Sequence, residues 1–194
     1  MASPRDVAVF VGSIRKDSHT RKVTQAVMRM APASLKLEIV EIRQLPFYNP
    51  DHEPSLPPEV GAFRERVRRA DAVLFATPEY NRSVPGVLKN AVDTASRPHG
   101  HNTWAGKPAA VISVTPGQYG AMGANHHLRQ SLMAVGLATL PLPEVYIVHA
   151  GDLFDEKGEI KVEPVAKLLG TFVEKFAVWI EMVLAAAPKP SPTK

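Results

Sequence analysis

Gly12-Ser13-Ile14-Arg15-Lys16-Asp17-Ser18-His19-Thr20 gathers three hydroxyls, two cations and an imidazole within nine residues. Side chains of these kinds bind anions, and their surroundings sharpen the point. Val7-Ala8-Val9-Phe10-Val11 precedes them as an unbroken apolar run, too short for a core helix and rich in β-branched residues, so it reads as a strand buried on both faces. A segment of helical periodicity follows. A strand, a polar turn and a helix N-terminus converge unpaired amides and the positive end of the helix dipole on one point, and the anion expected there is a phosphate. The alternative is that Asp17 or Ser18 only caps a helix while Arg15 and Lys16 are solvated loop charges.

Two further turns have the same setting. Thr77-Pro78-Glu79-Tyr80-Asn81-Arg82-Ser83-Val84-Pro85-Gly86 follows the apolar run Ala72–Ala76, and Thr115-Pro116-Gly117-Gln118-Tyr119-Gly120-Ala121-Met122-Gly123 follows Pro108–Val114. The first offers an aromatic, an amide and one carboxylate, and Ser83 with Pro85 is the expected start of a helix. In the second, glycines allow a planar ligand to approach the backbone, although a tight connection alone would also use them.

Other chemistries find less support. The Gly-x-x-x-x-Gly-Lys-Ser/Thr loop is missing, as is Gly-x-Gly-x-x-Gly after the first strand, which argues against a nucleotide triphosphatase and a dinucleotide-binding Rossmann unit. The pairs His99/His101 and His126/His127 lack the i, i+4 spacing with a carboxylate that a zinc hydrolase shows, so no metal site is expected. Cysteine is absent, which excludes disulfides, thiol nucleophiles and thiolate metal sites. A net charge of +4 permits an anionic partner. The basic residues are scattered, however, apart from Arg64–Arg69 on what reads as a solvated helix face, and no recognition motif accompanies them, so nucleic acid is not expected. No apolar run reaches membrane-spanning length and none has a signal-peptide core, so a cytoplasmic protein is expected.

The elements that must position the three turns alternate. Val23, Ala26, Val27 and Met30 mark a helix ended by Ala31-Pro32, and Leu35 to Ile42 reads as a second strand. A proline-rich loop, Leu45–Pro58, is long enough to cover something or meet a partner subunit. Helical stripes follow at Val60–Ala70, at Val84–Ala95, around Leu128–Val135 with Gly136 as the stop, and at Val165–Leu184; Val145–Val148 reads as the fifth strand. Residues 1–187 are expected to form one α/β domain and 188–194 a disordered tail. Five strands alternating with five helices make a doubly wound parallel sheet, with ligands beyond the carboxyl ends of the strands where the winding reverses. If the strand order is 2-1-3-4-5, the three polar turns face one crevice.

Gly12–Ser18, Pro78–Asp93 and Ala95-Ser96-Arg97-Pro98 together resemble the NADPH-dependent FMN reductase family, and within it the bacterial quinone and chromate reductase branch. The resemblance covers nearly the whole chain. It implies a flavodoxin-like fold, bound FMN, a homodimer or homotetramer, and two-electron reduction of quinones by NADPH or NADH, with chromate as an incidental acceptor. By the same resemblance Ser13, Arg15, Ser18 and Thr20, with His19 among them, form the phosphate loop. Pro78, Glu79, Tyr80 and Asn81 run along the flavin ring, and Thr115, Gly117, Gln118, Tyr119 and Gly120 lie at its other side. No side chain is assigned as catalytic, because the flavin carries the chemistry. Glu79 is expected to orient or cap in preference to acting as a general acid. The chain departs from the family at Thr94, where an aromatic is usual, and at Gly120-Ala121-Met122-Gly123, where paired glycines are usual. A non-enzymatic electron carrier on the same fold is the alternative reading, set against the net positive charge, since such carriers usually dock through acidic surfaces.

Overall fold

The computed structural model describes residues 3–186. Six strands form one parallel sheet: β1 (Arg5–Val11), β2 (Leu35–Ile39), β3 (Ala72–Thr77), β4 (Pro108–Val114), β5 (Ala138–Thr139) and β6 (Val145–Ile147). The order is β2-β1-β3-β4-β5, with β6 also paired to β4. The sequence-based order therefore holds, and its last place is shared. β5 pairs with the start of β4, at Pro108 and Ala109, while β6 pairs with its end, from Ile112 to Val114. The fifth strand expected at Val145–Val148 is β6, while β5 is a short strand the sequence reading did not include; Pro141 and Pro143, without an N–H, lie between the two.

Alternate residues of the buried strands feed two cores. Val7, Val9 and Val11 pack with α1 (His19–Met30) and α5 (Glu163–Ala186), through Val23, Val27, Phe172, Phe176 and Ile180. Ala8 and Phe10 pack with α2 (Pro58–Arg69), α3 (Gly86–Ser96) and α4 (Met122–Ala134), through Phe63, Leu88 and Leu128. Helices thus cover both faces, as in a doubly wound sheet. The second core is knit by aromatics: Phe10 stacks on Phe75 at 5.3 Å between centroids and meets Trp104 edge-on at 5.4 Å. Trp104 is wholly buried, and its indole N–H donates to the Val92 carbonyl.

Three sequence-based expectations need correction. β2 stops at Ile39, short of Ile42. Leu35, Leu37 and Ile39 face the first core, whereas Ile42 breaks that parity and is buried in the second. Ser83 does not cap α3, whose cap is Pro85 with no side-chain hydrogen bond. The Arg64–Arg69 run is no free basic face. Arg64 is buried and donates to the carbonyls of Thr94 and Ala95 at the C-terminus of α3 and to that of His101, Arg66 pairs with Asp6 and Glu38, and Arg68 pairs with Glu65. The tail expected from Pro188 lies outside the described residues.

Register sets the site. Val11 is level with Ala76, and Ala76 with Ile112, so the turns after β1, β3 and β4 leave one edge of the sheet together. That edge holds the switch point between β1 and β3.

Candidate active site

The first turn is built by the start of α1. Ser18 is the N-cap, its Oγ accepting from the Arg21 amide at 3.1 Å while its carbonyl accepts from the Lys22 amide. The amides of His19 and Thr20 precede these first helical bonds and are free to meet an anion. Ser13 and Thr20 are only 5% and 3% exposed, yet both line a cleft of about 240 Å³ together with Arg15, Ser18 and His19. Arg43, just beyond β2, donates to the Ile14 carbonyl and braces the turn from outside.

The second turn reverses within four residues. Tyr80 and Ser83 exchange backbone hydrogen bonds, at 3.1 and 3.0 Å, around Asn81 and Arg82, whose φ values are 50° and 63°. Positive φ at both central residues is the pattern of a type I′ turn, normally left to glycine or asparagine. Two contacts with α4 hold it. Glu79, with a side chain 12% exposed, accepts from the Ala124 amide at 3.0 Å, and Ser83 Oγ meets His127 Nδ1 at 3.1 Å. Because α4 begins after Ala121 with no side-chain cap of its own, the Glu79 carboxylate supplies one from another loop. Gly123 makes this possible: a Cβ there would stand 2.8 Å from the Arg82 carbonyl oxygen and 2.9 Å from Glu79 Oε2.

The third turn is tied to β4 and to the segment that follows β6. Thr115 Oγ1 accepts from the Gly117 amide, the Gly117 carbonyl accepts from His149 N–H, and Ser113 Oγ donates to the Gly120 carbonyl at 2.6 Å. Gly120 has φ 61°, and a Cβ on it would fall 2.6 Å from Tyr146 Cβ, so both its conformation and its closeness to β6 require glycine. Tyr119 projects from this turn, and the Arg82 guanidinium carbon stands 4.8 Å from its ring centroid, linking the second and third turns by a cation–π contact.

The sequence-based site residues are therefore brought together unequally. Pro78, Glu79, Tyr80 and Thr115 line the same cleft as the phosphate-loop residues, and Val114 and Pro116 join them. Gln118, Tyr119 and Gly120 line a neighbouring hollow of about 460 Å³ with Arg82, Met122, Gly123, Tyr146 and Val148. Asn81, at the tip of its turn, and Gly117 line neither. Sequence reasoning passed over Tyr146 and Val148, since nothing in a short apolar strand announces which residue meets a loop from another strand. Thr94, where the family usually has an aromatic, is 3% exposed, and among the described residues its hydroxyl has no hydrogen-bond partner.

Comparison with known proteins agrees with this geometry. A model of the NADPH-dependent FMN reductase family matches residues 5–152. A quinone reductase of Pseudomonas putida is 52% identical over 183 residues, covering 94% of this chain and 98% of that protein. A 2-hydroxy-1,4-benzoquinone reductase of a Burkholderia species is 41% identical over 174 residues, covering 90% and 95%. Among solved structures, FerB, a flavoenzyme NAD(P)H:(acceptor) oxidoreductase from Paracoccus denitrificans, superposes with a TM-score of 0.87 at 43% identity, covering 92% of this chain and 98% of that one.

Proposed function

As the chain belongs to the NADPH-dependent FMN reductase family, we propose that it carries reducing equivalents from NAD(P)H to quinones through FMN held at the sheet edge. The observation that carries this reading is a single cleft lined by hydroxyls, a guanidinium and a helix N-terminus at one end and by Pro78, Tyr80 and Pro116 at the other. The donor set suits a phosphate monoester, and the flat apolar residues suit a tricyclic ring, so FMN fits the residues present. When bound, FMN supplies the redox chemistry, accepting a hydride from the nicotinamide and giving two electrons to the acceptor.

The residues have binding and orienting roles. Arg15, the Ser13 and Thr20 hydroxyls and the amides of His19 and Thr20 would hold the phosphate, while Ser18 keeps the helix start in place. Pro78, Glu79 and Tyr80, with Thr115 and Pro116, would border the ring. Glu79 is engaged with the Ala124 amide and shapes the loop. Among the described residues these turns carry one phosphate cradle, so nucleotide and quinone use the same exposed site in alternation. A protein of this design purifies yellow, releases FMN and not FAD, and oxidises NADPH when an acceptor such as a quinone is supplied. Initial rates with both substrates varied should give parallel double-reciprocal lines; intersecting lines would mean that the two substrates share the site at once. A pure electron carrier would show no such turnover. Chromate as an incidental acceptor belongs to the same reading and is tested by its NADPH-dependent loss.

The same reading extends to assembly and place. Phe47 is 80% exposed on the Leu45–Pro58 loop, beside Leu56 at 38%, and such an apolar loop supports a homodimer or homotetramer. No described helix is long and apolar enough to cross a membrane. A reaction fed by NAD(P)H fits the cytoplasm.

A further inference from the structure

Past the Arg82–Tyr119 contact, the second and third turns share a further hollow, the one of about 460 Å³, against about 240 Å³ for the cofactor cleft. That size falls within the range of small-molecule sites. Its walls are apolar and accessible: Tyr119, Met122 and Val148 are 62%, 53% and 36% exposed. Arg82, its Nη1 3.4 Å from Glu79 Oε1 and its side chain 69% exposed, stands at the rim as its cation. Tyr146 closes the floor, its hydroxyl 3.1 Å from His126 Nε2.

This lining selects a chemistry. Exposed aromatic, thioether and valine surfaces favour an apolar group, while a guanidinium at the rim favours a carbonyl or phenolate oxygen at that group's edge. A dinucleotide would bring several phosphates to a hollow with one guanidinium. The hollow also abuts the cofactor cleft, because Gln118–Gly120 and Arg82 continue the two loops whose earlier residues, Thr115-Pro116 and Pro78–Tyr80, line that cleft.

We propose that this hollow is the subsite for the apolar substituent of a quinone acceptor, with Arg82 at its rim meeting the acceptor's oxygens. The inference rests on the reading that the protein reduces quinones, and it names which ones are favoured: quinones bearing an alkyl chain over the unsubstituted ring.

The test fills the hollow. In the FMN-loaded protein, kcat/KM is measured for 1,4-benzoquinone and for a decyl-substituted benzoquinone, for the natural chain and for Val148→Trp. Wild type should prefer the decyl compound, and Val148→Trp should lower the decyl-to-unsubstituted ratio roughly tenfold, the scale of discrimination a hydrophobic pocket achieves. Calorimetric titration with a redox-inert decyl catechol dimethyl ether should show the same weakening. Met122→Trp enters from α4 and gives an independent reading if Val148→Trp folds poorly, with FMN content and circular dichroism recorded for each. An unchanged ratio in a folded, FMN-loaded variant overturns the proposal. A raised KM for NADPH in its place would assign the hollow to the nucleotide, and a change in particle mass by light scattering would assign it to a second copy of the chain; either result also overturns it. A wild-type protein that reduces neither quinone would instead remove the reading on which the inference rests.

Discussion

Arg15 is exposed at the turn after β1 and lines the cofactor cleft. Its replacement therefore measures the phosphate contact with little disturbance of packing. A charge-assisted hydrogen bond contributes about 1.5–3 kcal/mol, so Arg15→Ala should weaken FMN binding about tenfold or more, read by fluorescence titration of the apoprotein. Unchanged affinity would return Arg15 to the role of a solvated loop charge. Tyr146 offers a different measurement. Burial, with the Glu144 carboxylate beside it, pushes its phenol up to about 12, so the fold prefers the protonated form. The contribution to stability is complete below the ordinary tyrosine pKa of about 10 and is lost as pH rises through the folded value. Tyr146→Phe should flatten the loss of stability over that alkaline interval, and tyrosinate absorbance should lack its latest step. A step at the ordinary value would show the phenol to be free in solution.

Among the elements, α4 depends most on a residue outside itself. It starts from a left-handed Ala121, and Glu79 reaches across from the turn after β3 to accept the Ala124 amide. Glu79→Ala should cost about 1 kcal/mol of stability, as lost helix caps do, and loosen FMN because the turn is freed as well. Glu79→Gln keeps an acceptor and should restore most of both; an activity lost in Glu79→Gln with FMN affinity intact would instead reveal a proton-transfer role. This tie shows where sequence reading reaches its limit. Strands β1, β3 and β4 were legible because each is an apolar run fully buried in a parallel sheet, and α1 was legible from a cap left between Asp17 and Ser18, which the structure assigns to Ser18, to its Ala31 stop. The three turns were recognised because polar and glycine residues cluster after those runs. What escaped is tertiary: the burial of Arg64 against the end of α3, the change of parity that gives Ile42 to the other core, and the short strand β5 that pairs with the start of β4. Each depends on a partner far along the chain, and neither propensity nor spacing encodes which partner it is.

At the scale of the whole molecule, the sheet edge gathers all the cofactor-facing turns, while the Leu45–Pro58 loop gathers exposed apolar surface. That loop is not slack. Tyr48 N–H donates to Asn90 Oδ1, Asn90 Nδ2 donates to the Pro46 carbonyl, Tyr48 Oη donates to Glu53 at 2.7 Å, and Arg97 Nε donates to Tyr48 Oη at 3.0 Å. A loop pinned at this many points to α3 and its C-terminal end presents Phe47 in a defined place, at little further cost in entropy when it is covered. An isolated phenyl ring left 80% in water is not unusual in itself, but one held outward by a half-buried network, with Leu56 nearby, is organised for contact. The expected occupant is a second copy of the chain. Phe47→Asp should therefore shift the particle mass measured by light scattering toward the monomer at micromolar concentration, with the Tyr48 network and the sheet intact by circular dichroism. FMN retention then separates two designs. If the second copy completes the flavin site, the dissociated variant should lose cofactor on dilution; if it does not, the monomer should stay yellow and active. A wild-type protein that is monomeric and fully active at assay concentration would count against both designs and leave the Phe47 surface without this role.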